Sequence, residues 1–153
     1  QLQVNNKPFI IKGKVDRIDK MNNQIRIIDY KTGKVNKSDI SISDFNDLIE
    51  NPNKAKAFQL LIYAYIYLKN KPQYFDREVI AGNFSFKNLK EGLLTVSHYV
   101  NNKKETIYID HHVMDNIELL IQDIVERIMK EDFVQTEDKK RCEYCDYRSI
   151  CNR

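Results

Sequence analysis

Asp16 and Asp29, with Lys31 two residues further on, are the side chains whose types and spacing suit metal or acid–base chemistry. They lie in the stretch GKVDRIDKMNNQIRIIDYKTGK, Gly13 to Lys34, where Ile25, Ile27 and Ile28 read as a core strand that ends in a carboxylate. A buried carboxylate is costly unless something pairs with it. Asn22-Asn23, set between two apolar runs, predicts a two-residue hairpin turn in which Met21 faces Gln24. Continued along the strands, that register sets Asp16 opposite Asp29, with Cβ atoms about 4.5–5.5 Å apart. Lys31 then shares the face of Asp29, because strand side chains alternate. Opposed carboxylates destabilise a hairpin, but they suit a hard cation such as Mg²⁺, which favours oxygen ligands and retains water. A metal in such a place acidifies water and neutralises charge on a phosphoryl oxygen. Lys31 would orient the attacking water or stabilise a phosphorane-like transition state. An Asp–Lys ion pair at a hairpin end, with Asp16 paired to Arg17, is the alternative these residues leave open.

The elements that must position this trio follow from periodicity. Residues 3–18 and 24–31 read as strands, and a short helix is expected over 43–50. Asn51-Pro52 is a helix start, and Phe58, Leu61, Ile62, Tyr65 and Ile66 recur at helical spacing up to Lys69. Strands are expected over 79–86, 93–100 and 105–109, with turns at 88–92 and 101–103. Val113 to Lys130 carries one apolar stripe, Val113, Ile117, Leu120, Ile121, Ile124, Val125 and Ile128, which is core packing. The order predicts an α/β or α+β domain, a mixed sheet covered by helices. Gln59 and Tyr63 are four apart on the second helix and share one face.

With 153 residues the chain fits one domain, 1–153, able to bury a core. It starts at Gln1, within what reads as a strand, and is expected to be an N-terminally truncated fragment of something longer. No apolar run reaches the roughly 18 residues of a membrane helix, and no signal peptide opens it, so no membrane partner is expected. Net charge is only +3, yet Lys12 to Lys37 holds eight basic residues against three aspartates. Such a stripe suits a phosphate backbone, as it also suits a solvated sheet edge. Cys142, Cys145 and Cys151 are the three cysteines, in RCEYCDYRSICNR. Clustered there, they do not resemble a secreted disulfide framework, which favours the cytoplasm. Their spacing allows a soft metal or an iron–sulfur cluster, while zinc asks for four ligands, with His98, His111 and His112 as the possible additions. Unpaired thiols in a frayed tail are the remaining alternative.

GKVDRID, then IDYKTGK, then QLLIY, in this order, resemble the RecB-type branch of the PD-(D/E)xK nuclease superfamily, over about residues 9–153. The resemblance implies a restriction-endonuclease-like core and a DNA exonuclease dependent on Mg²⁺ or Mn²⁺. It makes Asp16, Asp29 and the backbone carbonyl of Tyr30 metal ligands and Lys31 the catalytic lysine. Gln59 and Tyr63 would flank the site and hold DNA, single-stranded or at a duplex end, with Arg17 as a further DNA contact. CEYCDYRSIC looks like the second half of the [4Fe–4S] motif in the iron–sulfur subset, typified by the AddB subunit and a CRISPR-associated relative. The fourth cysteine and a His or Glu of the metal site would precede Gln1. The resemblance therefore implies the C-terminal nuclease of an AddB-like subunit in recombinational repair, partnered by a helicase subunit or domain. The alternatives are a stand-alone CRISPR- or phage-associated exonuclease, a non-catalytic DNA-binding arm, and a zinc-stapled interaction domain.

Overall fold

The computed structural model describes residues 2–101, 103–132, 134–143 and 145–152. A short antiparallel hairpin comes first, β1 (Leu2–Val4) and β2 (Lys7–Phe9), turning at Asn5-Asn6. Both asparagines have positive φ, 50° and 61°, as a primed two-residue turn requires. That turn divides the run expected over 3–18. Residues 10–16 are irregular, and β3 (Arg17–Met21) begins only at Arg17. β4 (Gln24–Lys31) returns antiparallel through Asn22-Asn23 in the expected register, Met21 opposite Gln24 and Arg17 opposite Ile28.

After a 3-10 turn at Lys37–Ile40 and the short β5 (Ser41–Ile42), α1 spans only Asp47–Glu50. The rest of the helix expected over 43–50 is replaced by side-chain turns. Asp44 accepts the N–H groups of Asn46 and Asp47, and Asp47 accepts that of Ser43. Asn51 caps a 3-10 turn at Pro52–Lys54 that leads into α2 (Ala55–Asn70). β6 (Glu78–Ser85) then runs parallel to β4, and β7 (Leu93–Thr95) pairs antiparallel with β6. The central sheet is therefore mixed, in the order β3-β4-β6-β7.

The strand expected over 93–100 breaks at Val96, whose N–H donates to Ala81 O in the central sheet while its C=O accepts Ile107 N–H, both at 2.9 Å. Beyond this pivot β8 (Ser97–Val100) lies between β5 and β9 (Lys103–Thr106) in a second, three-stranded sheet. The long α3 (His111–Lys130) is capped by Asp110, which accepts Val113 N–H at 2.8 Å. A single turn, α4 (Lys139–Cys142), follows.

The core lies between the central sheet and the helices. Ile25, Ile27, Val79 and Ala81 are buried there with Leu60, Leu61, Ala64, Leu68 and Ile117. α2 is apolar over more than one face. Its buried stripe runs Ala57, Leu60, Leu61, Ala64, Tyr65 and Leu68, while Phe58, Ile62 and Ile66 of the expected stripe are only partly buried. On α3 the stripe is buried from Val113 to Ile121, but Ile128 is exposed because the last turns run past the core. The two helices are stapled by Glu118, which takes Tyr65 OH at 2.8 Å and Lys69 Nζ at 2.6 Å. This is the mixed α+β architecture that the sequence implies, a mixed sheet flanked by helices, consistent with a restriction-endonuclease-like fold. Among the described residues, no helix is long and apolar enough to cross a membrane.

Candidate active site

Asp29 sits at the end of β4 with 4 % of its surface exposed. Two donors meet its Oδ2: Lys31 Nζ at 2.7 Å and Asn83 Nδ2 at 2.9 Å. Both bonds end on the same oxygen, which leaves Oδ1 for a cation. Asn83 is directly across the parallel ladder from Asp29 and is fully buried. Its Nδ2 also lies 3.3 Å from the Asp29 carbonyl, and its Oδ1 is buried with no partner among the described residues.

From Lys31 the polar path continues into α2. Lys31 Nζ donates to Gln59 Oε1 at 2.8 Å, and Gln59 Nε2 donates to Tyr63 OH, also at 2.8 Å. Gln59 and Tyr63, one helical turn apart, are thus joined to each other and to Lys31. Gly13 packs against the same tyrosine. A Cβ there would lie 3.1 Å from Tyr63 Cε1 and 3.2 Å from Ile66 Cδ1, tighter than most carbon contacts. The irregular backbone of residues 10–16 is what brings this glycine against α2.

Asp16 lies one residue before β3, just past the last ladder pair. It is exposed, and its Oδ2 accepts the Tyr30 N–H at 2.9 Å. The carboxylate thereby takes the place of a ladder acceptor where the two strands part. The Lys31 carbonyl points to the β6 side, where it accepts Phe86 N–H at 2.9 Å. Strand alternation then turns the Tyr30 carbonyl the other way, toward Asp16.

Asp19, the second aspartate of DRID, has a structural role. It faces Arg26 across the hairpin and accepts its Nε at 2.7 Å and Nη2 at 3.0 Å, with Arg17 Nε at 3.1 Å. The Arg26 bond holds the Asp19 carboxyl below its usual range. Arg17 is on the opposite face of the sheet from Asp29 and Lys31. There its Nη1 reaches Tyr30 OH at 3.5 Å, and the Tyr30 ring stacks on Phe86 with centroids 5.7 Å apart. Asp29, Lys31, Gln59 and Tyr63 are therefore brought together, Asp16 adjoins them through Tyr30, and Arg17 does not join them.

Asn83 is the site residue that sequence reasoning misses. Its signal is present all the same: an amide inside the apolar run VIAGNFSF, on a strand whose central position leaves no room for solvent. Cys142 is buried, Cys145 exposed and Cys151 half-buried, and all three are free thiols. Among the described residues no three His, Cys, Asp or Glu side chains converge as a metal site. The three thiols as they stand do not form a cluster-binding set. Asp16, Asp29 and the Tyr30 carbonyl are hard oxygen donors of the kind Mg²⁺ and Mn²⁺ take, with water completing the shell. That chemistry fits a divalent cation.

Comparison with known proteins agrees with this geometry. Over 89 residues, 56% of the chain, it is 37% identical to a protein of Carboxydothermus hydrogenoformans whose name makes it the second of the subunits of an ATP-dependent helicase/deoxyribonuclease. The match spans about 7% of that relative's length. No solved structure matches the chain. Residues 1–152 match the family model of the PD-(D/E)XK nucleases, and the chain belongs to the PD-(D/E)XK nuclease superfamily.

Proposed function

We propose that this chain is a divalent-metal-dependent deoxyribonuclease domain that digests DNA from an end, as part of an AddB-like helicase–nuclease acting in cytoplasmic recombinational repair. The observation that carries the reading is the joint hold of Asp29 and Gln59 on the Lys31 ammonium, next to a carboxylate with one oxygen to spare. The name of the Carboxydothermus relative supports the helicase partner and the DNA substrate.

Asp16 and Asp29, with the Tyr30 carbonyl, would hold Mg²⁺ or Mn²⁺. When bound, the cation supplies charge neutralisation at the phosphate and a more acidic water. The protein's own part centres on Lys31. An ammonium has three N–H donors; two are engaged by Asp29 and Gln59, and the third is left for a phosphate oxygen or the attacking water. Because both acceptors come from rigid elements, the charge is already aimed before substrate arrives and need not reorganise as negative charge builds. Hydrolysis forms a bond from water oxygen to phosphorus and breaks the ester bond to the leaving sugar oxygen, which takes up a proton.

The test is cleavage of end-labelled linear and closed circular DNA with Mg²⁺ or Mn²⁺. Loss of the linear substrate alone is expected, with Lys31→Met lowering the rate by about 10²–10³-fold, the scale of one removed electrostatic donor. DNA binding by Lys31→Met should persist. Undiminished cleavage by that variant would sink the assignment, and binding without cleavage by the unaltered chain would favour a non-catalytic DNA-binding arm. The [4Fe–4S] cluster belongs to this proposal only for a longer chain that brings a fourth thiolate.

A further inference from the structure

A cleft of about 760 Å³ opens directly beyond the ends of β4 and β6, lined on one side by Lys34 and on the other by Lys87 and Lys90. The lone carboxylate among its lining residues, Glu91, is taken by Lys37 Nζ at 2.7 Å. Past Lys37 the same surface continues to Lys104, which burial and the neighbouring Lys37 and Lys54 ammonium groups hold below the ordinary lysine value. Crowded like charges of this kind are relieved by a polyanion.

Phe86 stands in the middle of this basic surface with 54 % of its area exposed. One face of its ring lies flat on Tyr30, at an interplanar angle of 8°, so the other face is open for stacking. Its backbone is tied to the site, because Phe86 N–H donates to the carbonyl of Lys31. Asn88, which also lines the cleft, keeps its Oδ1 buried without a partner among the described residues.

We propose that this cleft binds single-stranded nucleic acid, with a base stacked on the open face of Phe86 and the flanking phosphates against Lys34, Lys87 and Lys90. A duplex would offer phosphates to the lysines but no free base face to the ring, so the aromatic selects the unpaired strand. Delivery of that strand to Lys31 rests on the nuclease reading, whereas its binding does not.

The experiment uses the 153-residue chain in EDTA, with fluorescence anisotropy of a labelled mixed-sequence single strand. Phe86→Ala should weaken binding by about 5- to 100-fold, the range for one lost base stack, and should leave duplex affinity nearly unchanged. Phe86→Trp should retain affinity, and its emission, unique in a chain with no tryptophan, should be quenched by the strand. Converting Lys87 and Lys90 to alanine should flatten the log–log salt dependence by about 1.4, or roughly 0.7 per phosphate contact. An unchanged single-strand affinity of Phe86→Ala overturns the proposal, and so does equal loss on duplex. Equal Phe86-dependence for polyglutamate does the same and assigns the cleft to an acidic protein partner. Because binding is read without metal, Phe86-dependent binding together with unimpaired cleavage by Lys31→Met would sink the nuclease reading alone. Full cleavage and binding by Phe86→Ala would sink this one alone.

Discussion

Replacing Asn83 by leucine should separate the chemistry of the site from the stability of the fold. Asn83 is fully buried, donates to Asp29 Oδ2 at 2.9 Å, and carries a buried Oδ1 with no partner among the described residues. Leucine is of similar size and removes both features. Losing a hydrogen bond to an ionised carboxylate costs about 1.5–3 kcal/mol, while removing an orphaned buried acceptor recovers about 1–3 kcal/mol. The two nearly cancel, so a net change within about 1.5 kcal/mol is expected, a melting shift of no more than about 6 °C at this chain length. Activity has no such compensation. Asp29 would be held by Lys31 alone, the group that also has to meet the substrate. Loss of an outer partner of a metal-holding carboxylate costs about 10–100-fold in metal affinity or rate.

The assay is single-turnover cleavage of end-labelled DNA across a Mn²⁺ titration, paired with thermal melting in EDTA. Asn83→Leu should be slow at limiting Mn²⁺ and recover part of its rate when Mn²⁺ is raised. A wild-type rate at limiting metal would refute the positioning role. A melting point lowered by well over about 10 °C, beyond the shift that near-cancellation allows, would show that Asn83 matters through packing. Asn83→Asp makes the converse case. It sets two carboxylates side by side, which raises the pKa of one of them. Stability should then be present at acid pH and be lost as pH rises through that raised value.

Three further outcomes follow from the geometry. Gln59→Leu removes an acceptor from Lys31 and a donor from Tyr63, so turnover should fall about tenfold with DNA affinity little changed; the reverse pattern, affinity lost and turnover kept, would make Gln59 a strand-holding residue. Gly82→Ala places a Cβ 2.5 Å from the Leu94 carbonyl oxygen, so β6 and β7 must part, at about 1–3 kcal/mol or more, read as a lower denaturant midpoint; an unchanged midpoint would show that the pair yields freely. The Lys69 bond holds Glu118 below the usual glutamate range, so its contribution is present above the unfolded value of about 4.3 and is lost as pH falls through the lower folded value. Glu118→Gln should therefore be less stable than the unaltered chain at neutral pH and converge with it in acid, and parallel curves across that window would refute the assignment.

How far the sequence discloses this arrangement depends on the range of the forces involved. The β3–β4 hairpin is legible because its turn and its alternation are local, and Met21 does face Gln24. α2 and α3 are legible from their periodicity, though not the face α2 buries, because Phe58, Ile62 and Ile66 make it apolar beyond its core stripe. The break at Val96 is not legible. It is set by two hydrogen bonds to Ala81 and Ile107, in different parts of the fold, and no residue beside it is a turn former. The division of the first run at Asn5-Asn6 can be read, since the same asparagine pair signals the turn at 22–23. Within the site, Asp29 and Lys31 are accessible from alternation alone, whereas Asn83 needs the parallel register of β6, which nothing local specifies.

That non-local register explains why the motif segments must lie on separate elements. The path Asn83–Asp29–Lys31–Gln59–Tyr63 crosses from β6 through β4 to α2, with partners 54 and 28 residues apart in sequence. Each link uses a different chemistry: amide to carboxylate, carboxylate to ammonium, ammonium to amide oxygen, amide to phenol. The Lys31 ammonium therefore has its two protein acceptors only after the sheet has closed and α2 has docked on it. Gly13 completes the requirement from the other side, because a Cβ there would press on Tyr63, the far end of the path. A strand aspartate and lysine two residues apart occur in many hairpins as an ion pair that water screens to little consequence. Here the aspartate is 4 % exposed, so the same pair acts in a medium where its charge is felt at full strength by whatever occupies the adjoining space. Burial of Asp29 by β6 and α2 is what turns a common surface pairing into a site suited to phosphate chemistry.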